Sequence, residues 1–389
     1  MAARFTPHVA TIPAPGQPSL RLGGRAIPVV LPRWGDPRIR LGIVIISLQV
    51  LGQTVLRFKL SIAQILVSIA VCALVEAGIT YWRQGALVWP ASAILTGNST
   101  AFILRANGTR PGDWWSLNGV EWFILAALIG ILSKYVIRVG DRHVFNPSNL
   151  GLVAIFLLAG ARHVFPQYLY WGPIGPPVIL ALVVIAAGAI WILRPLRMWP
   201  MVAAFAGAFA ILIAIEAAVQ RCFLATWHTG PVCGADSWLN LVLSPELLVF
   251  LFFMISDPKT APRATDARIL YGFLIALVAA GLVLVQPSEF GIKVAILGSL
   301  TVVCALVPFM ERAFRGEGST LHPNPPPKRG RDLSGGRDLR WLAVAIIAIA
   351  VPISVIRLSA DPLVVAIDGR GSPPASFSSG PIPRDIPTQ

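Results

Sequence analysis

The 389 residues are 55% hydrophobic and only 13% charged, with a formal net charge of +14 and a mean hydropathy of +0.71. That composition excludes an ordinary soluble globule and defines a polytopic membrane protein. Nucleic acid is not the partner implied by the basicity. With the N-terminus inside, roughly two-thirds of the 32 Lys and Arg residues fall on cytoplasmic segments, the bias of the positive-inside rule.

Residues 1–39, rich in Pro and Arg, read as an irregular cytoplasmic leader without the apolar core of a signal peptide. Apolar runs of about 17–22 residues, the length a bilayer requires, then begin near Leu41, Ser61, Leu87, Gly119 and Asn146. Five more begin near Pro176, Met198, Trp238, Ile269 and Gly291, and a last near Trp341. Lipid contact is the first partnership these spans imply. Trp34, Trp82, Trp89, Trp191, Trp199 and Trp341 fall at the inner ends of spans. Trp114, Trp115, Trp122, Trp171, Trp227 and Trp238 fall at the outer ends, as indoles that favour headgroup depth should.

Two spans are interrupted by polar motifs, Ser92-Ala-Ile-Leu-Thr96-Gly97-Asn98-Ser99-Thr100 and Ser256-Asp257-Pro258-Lys259-Thr260-Ala261-Pro262. Each is followed by a Pro-Ser motif opening another apolar run, Asn146-Pro147-Ser148-Asn149-Leu150-Gly151 and Gln286-Pro287-Ser288-Glu289-Phe290-Gly291. Interrupted helices are tolerated in a bilayer only where protein or a wet cavity receives the freed backbone groups. Breaks in matching places of two halves point to a binding site between inverted repeats. The expected fold is therefore all-α and polytopic: two inverted five-helix repeats (40–175 and 176–311) with broken helices. A basic Pro/Gly linker (312–340), an eleventh transmembrane helix (341–358) and a disordered extracytoplasmic tail (359–389) complete it.

Thr96, Asn98, Ser99, Asn146, Asn149, Asp257 and Thr260 are the candidate ligand-binding residues. Several have a plainer reading beside the functional one. Asn146-Pro147 can seat an anion on a helix N-terminus or simply start a helix. Gly97 and Ser99 can serve close helix packing, and Asp257 can be a cap. Among the carboxylates, Glu76 lies deep in a span without a legible partner, whereas Glu121 and Glu246 are placed near enough to the outer surface to be hydrated. Lys293 and Arg105 are assigned to outer segments. Cys222 and Cys233 share one outer loop and are expected to form a disulfide in an oxidising compartment, while Cys72 and Cys304 sit in apolar runs. His143 lies inside, His163 and His228 outside, so no facing pair for haem exists, and no metal spacing, nucleotide loop or autonomous catalytic motif is present.

These segments resemble the RnfD/NqrB family of membrane flavin subunits. The resemblance rests on Ala93-Ile-Leu-Thr96-Gly97, Phe145-Asn146-Pro147-Ser148-Asn149-Leu150-Gly151, Ser256 to Pro262 with the following Tyr271-Gly272, and Ala305-Leu306-Val307-Pro308. It implies ten helices in two inverted halves and electron transfer through flavin, with redox partner subunits. The family's Thr that is esterified to FMN has no counterpart, because Ala161 to Pro177 contains neither Ser nor Thr. The eleventh span and long tail also depart from the family pattern, and divergent UnbU-type membrane proteins of enediyne clusters are nearer in character. What the resemblance then implies is a non-covalent flavin or quinone. The other function the same cavity would serve is transport of a small solute or ion.

Overall fold

The computed structural model describes residues 18–22, 25–32, 36–139, 142–314 and 335–361. Most of the linker, the tail from 362 and the first 17 residues of the leader lie outside the described residues. Within the leader, the expectation of an irregular chain is corrected. Strands β1 (Ser19–Leu22) and β2 (Arg25–Val30) form an antiparallel hairpin, and β2 pairs in parallel with β3 (Leu87–Val88). The leader is thus tied to the loop after the second helix.

Helix α1 (Pro37–Thr54) starts where Asp36 accepts from the Arg38 N–H. Helix α2 (Ile62–Gln84) has a Ser61/Gln64 capping box and stops at Gly85, whose left-handed backbone suits glycine. Helix α3 (Ala91–Ile103) is 13 residues long, about 20 Å at 1.5 Å per residue, short of the roughly 30 Å hydrocarbon core. Strand β4 (Leu104–Ala106) continues it and pairs with β7 (Val164–Pro166), so the freed backbone groups find partners in protein. Between them come α4 (Val120–Val136), the hairpin of β5 (Arg138–Val139) and β6 (Arg142–His143), and α5 (Pro147–His163).

The second half follows with α6 (Pro176–Leu196) and α7 (Trp199–Ala218). Strands β8 (Cys222–Phe223) and β9 (Val232–Cys233) form a hairpin in which Cys222 and Cys233 are bridged, with Cα atoms 4.3 Å apart. Helices α8 (Gly234–Val242) and α9 (Pro245–Val249) are separated at Leu243–Ser244, and α9 runs into a π turn at Phe250–Met254. Helix α10 (Thr265–Val283) comes next. The bent pair α11 (Glu289–Cys304) and α12 (Val307–Ala313), then α13 (Gly335–Leu358), close the chain.

Among the described residues six helices are long and apolar enough to cross a membrane, counting 234–254 as one, and a seventh if the α11–α12 pair is one span bent by 44°. The chain is a mostly helical protein of multi-pass membrane character. A helix stands at each expected span, but α1, α3, α4 and α5 are not among those six.

One expected break is in the wrong place. Thr96 to Thr100 are helical, and the chain leaves the helix only at Leu104. Thr96 donates to the Ser92 carbonyl (2.9 Å) and Thr100 to the Thr96 carbonyl (2.8 Å), so the hydroxyls are satisfied within the helix. Gly97 faces α2 so closely that a methyl there would overlap the Ser68 carbonyl. The second break, from Ile255 to Ala264, is where the sequence puts it.

Packing repeats between the halves. Helix α2 packs on α3 and α4, and α7 packs on α8 and α10; α4 packs on α5, and α10 on α11. Across the halves α1 meets α6 and α5 meets α11, while α13 covers the outer side of α11. Glycine permits the closest approaches: Gly151 of α5 lies on the Ala126 carbonyl of α4, and Gly272 of α10 on the Met201 carbonyl of α7.

Candidate functional site

A cavity of about 280 Å³ opens where the two halves meet, beside the N-terminus of α1, the middle of α3, the start of α5 and the chain after the π turn. Its walls are mainly apolar, with Leu41, Leu95, Phe102, Ile192 and Phe253 among them, and its polar groups gather at one end.

That polar end is assembled across the halves. Asn146 caps α5 by accepting from the Asn149 N–H (3.2 Å) and the Ser148 hydroxyl (2.9 Å), and its amide donates to the Met254 carbonyl (3.3 Å) at the end of the π turn. A π turn displaces carbonyls from the regular ladder, so the Asn146 contact gives this one a partner. Arg142 donates to the carbonyls of Lys259 (3.0 Å), Pro258 (3.0 Å) and Ala261 (2.8 Å), and pairs with Glu311 at 3.2 Å. One arginine of the first half therefore fixes the broken segment of the second.

Within this frame Asp257 accepts from the Lys259 N–H (2.9 Å), and its other oxygen lies 3.9 Å from His143 Nε2. That separation is ion-pair range and too long for a hydrogen bond, and His143 Nε2 is buried without a hydrogen-bond partner among the described residues. Burial by itself raises the Asp257 carboxyl. The adjacent imidazole, the Lys259 N–H and the Lys259 charge more than offset it, and hold the carboxyl below its ordinary value. A group depressed in this way stabilises the fold above its unfolded pKa, about 3.9 for Asp, and the contribution is lost as pH falls through the lower folded value. The thermal midpoint should accordingly fall below about pH 4. Asp257→Asn should start lower at neutral pH and show a shallower acid decline; parallel declines in the two proteins would remove Asp257 from this role.

Thr96, Ser99, Asn146 and Asp257 line the cavity, joined by Ser92, His143, Ser256 and Lys259. Three other candidates lie elsewhere. Asn98 is buried outside the lining, with its carbonyl oxygen unpartnered among the described residues. Asn149 donates to the Leu297 carbonyl and the Thr301 hydroxyl of α11, both at 2.9 Å, and is a strut between helices. Thr260 is buried beneath the break, its hydroxyl 3.4 Å from the Asp257 carbonyl. Rotation by about 100° per helical residue separates Asn98 from Thr96 and Ser99.

Several charged groups are corrected or completed. Glu76 pairs with Lys134 at 2.8 Å, and the same ammonium donates to Ser92 (3.1 Å) at the cavity edge. Glu246 is 5% exposed, not hydrated, and lies 3.1 Å from Lys293, itself 3% exposed inside α11 rather than in an outer loop. Glu289 accepts from the Leu169 N–H (2.6 Å) and the Trp227 indole (2.9 Å). Arg105 is likewise buried.

The cavity fits the head of a small aromatic cofactor by its lining: an unpartnered buried imidazole nitrogen, the Ser99 hydroxyl, and apolar walls. Its volume lies at the bottom of the range of about 300–1,000 Å³ for small-molecule pockets, so a quinone ring fits better than a complete flavin mononucleotide. No protein-family model matches the chain, and no curated protein matches its sequence.

Proposed function

We propose that this chain is a membrane redox protein on an RnfD/NqrB-like scaffold of two inverted five-helix halves plus an eleventh span. It would hold a non-covalent quinone, or a flavin, in the cavity between the halves and exchange electrons with a partner subunit. The observation that carries this reading is the cavity itself, lined by the polar motifs of both halves, His143 and Asp257 among them. The packing supports the duplication: first helix meets first helix (α1 with α6) and last meets last (α5 with α11), as units related by a two-fold axis would.

A bound quinone supplies two-electron, two-proton chemistry. The chain's own contribution is orientation and proton handling. Asp257 faces His143 at 3.9 Å, and Nε2 is the atom through which a proton would be passed. Asn146 and Arg142 keep the two motifs in register. Arg38 and Lys259 line the cavity, and the positive-inside rule would make their side cytoplasmic, with the N-terminus inside and the C-terminus outside in a bacterial-type plasma membrane.

A second reading is transport of a small ion or solute, favoured by the buried Glu246–Lys293 pair, which lines a small void that shares Met254 with the cavity. Purified protein, made with its neighbouring gene products, should carry a quinone or flavin detectable by absorbance and by mass spectrometry of the extract. His143→Leu should lower its retention. Colourless protein that yields neither cofactor, yet moves solute in liposomes, would replace the redox reading with the transport one.

A further inference from the structure

We infer that the chain carries a second site, a small pocket around Arg105 beside strands β4 and β7 that receives a phosphate-class oxyanion. It is independent of the redox reading. The pocket has about 100 Å³, space for a small oxyanion with ordered water, since one water needs only about 10–15 Å³ by the same measure. Lys59, Arg105, Thr109, Phe165, Tyr168 and Thr226 carry its chemistry, and no carboxylate lines it.

Arg105 is only 4% exposed, and its Nε has no hydrogen-bond partner among the described residues. Its guanidinium lies over the Tyr168 ring at 3.7 Å and near the Phe165 ring at 5.2 Å, which stabilises the charge from the sides and leaves donors at the planar edge. Two carboxylates are near enough to feel that charge, Glu246 and Glu289. Both are engaged elsewhere, Glu246 by Lys293 and Glu289 by the Leu169 N–H and the Trp227 indole. Lys59, whose ammonium is 3.5 Å from the Tyr168 hydroxyl, adds a further positive charge at the rim. Among the described residues, neither Arg105 nor Lys59 is ion-paired with a carboxylate at the pocket.

The neutral groups are set as donors too. The Thr109 hydroxyl accepts from the Gln64 amide (3.2 Å) and from the Asn118 amide (3.3 Å). With both lone pairs used, its proton can only be given away. Thr226 Oγ1 is buried and unpartnered among the described residues. A guanidinium edge, an ammonium and two hydroxyls around a small space suit a phosphate oxyanion better than a halide, because several donors converge on separate oxygens. The phosphate could belong to a soluble ion or to a phospholipid headgroup reached from the membrane surface.

The test uses the full chain in detergent after delipidation, with thermal midpoint and calorimetry as readouts. The probes are inorganic phosphate, short-chain phosphatidic acid below its micellar concentration, and chloride at matched ionic strength. A saturable rise in midpoint with either phosphate probe and not with chloride is the expected result, and the probe that responds identifies the source. Arg105→Lys keeps the charge but loses the planar fork, and should weaken binding by about tenfold. Thr226→Val, a near-isosteric loss of one hydroxyl, should fold as the parent does and bind several-fold more weakly. Equal stabilisation by chloride, no saturable response to either phosphate probe, or unchanged binding in both variants would overturn the site and leave Arg105 as a packing cation between two rings.

Discussion

Lys293→Met should destabilise the protein by about 3–5 kcal/mol, the range seen when one partner of a buried ion pair is removed. The ammonium is the close counter-charge of Glu246, at 3.1 Å, and both residues are at most 5% exposed. Without it, Glu246 must either keep an uncompensated charge among the apolar side chains of α9 and α11 or take up a proton. Replacing both partners, Lys293→Met with Glu246→Leu, should recover most of the loss, because the desolvation penalty of each group disappears with it. Yield of monodisperse protein and its thermal midpoint in detergent are the measurements. A single variant as stable as the parent, or a double variant as poor as the single, would mean that the pair is not stabilised in the way its geometry indicates.

Gly151→Val is expected to destabilise the protein as well. A Cβ at Gly151 would overlap the Ala126 carbonyl and crowd the Gly130 nitrogen, both backbone atoms of α4 that cannot rotate away. Overpacking of this kind costs roughly 1–3 kcal/mol even for modest additions, and more when backbone must move. Gly207 and Gly281 provide the internal control. They are helical, and a Cβ on either would meet nothing within 4 Å, so Gly→Ala there should be neutral or stabilise by about 0.5–1 kcal/mol. Equal losses at Gly151 and Gly281 would show that helix contact is not what the glycine serves.

The broken second motif was legible because Gly, Pro and polar residues are expensive in an apolar span wherever they fall. The same signal misplaced the first break. Thr96 and Thr100 bond back to their own helix, and Gly97 reads alike whether it breaks a helix or lets another backbone approach. Side-chain direction was less accessible: Thr96 and Ser99 share a face, whereas Asn149 turns to α11. His143 went unassigned because a lone histidine carries no spacing signal. Its position three residues before the Asn146 cap was the one available pointer, and its partner Asp257 is distant in sequence. Ion pairs such as Glu76–Lys134 and Glu246–Lys293 depend on which helices adjoin, which hydropathy does not report. Hydropathy also sends Lys293 and Arg105 to the surface, since it weighs a charge without knowing its neighbours.

The contact between α13 and α11 has a consequence for biosynthesis. Helix α11 carries Glu289 and Lys293, and nearly all of its side chains are buried. Part of that burial comes from α13: Gly298 faces Val351 and Val355, and the Gln286 amide at the start of the helix donates to the Val355 carbonyl at 2.9 Å. Chains emerge from the ribosome N-terminus first at about 5–20 residues per second, so α13 is the last of these helices to reach the membrane. Until it arrives, one flank of α11 faces lipid and the Gln286 amide lacks its carbonyl. A ribosome that stops before residue 340 would release a chain whose two halves are complete but whose central helix is still open on one side, a natural substrate for membrane quality-control proteases.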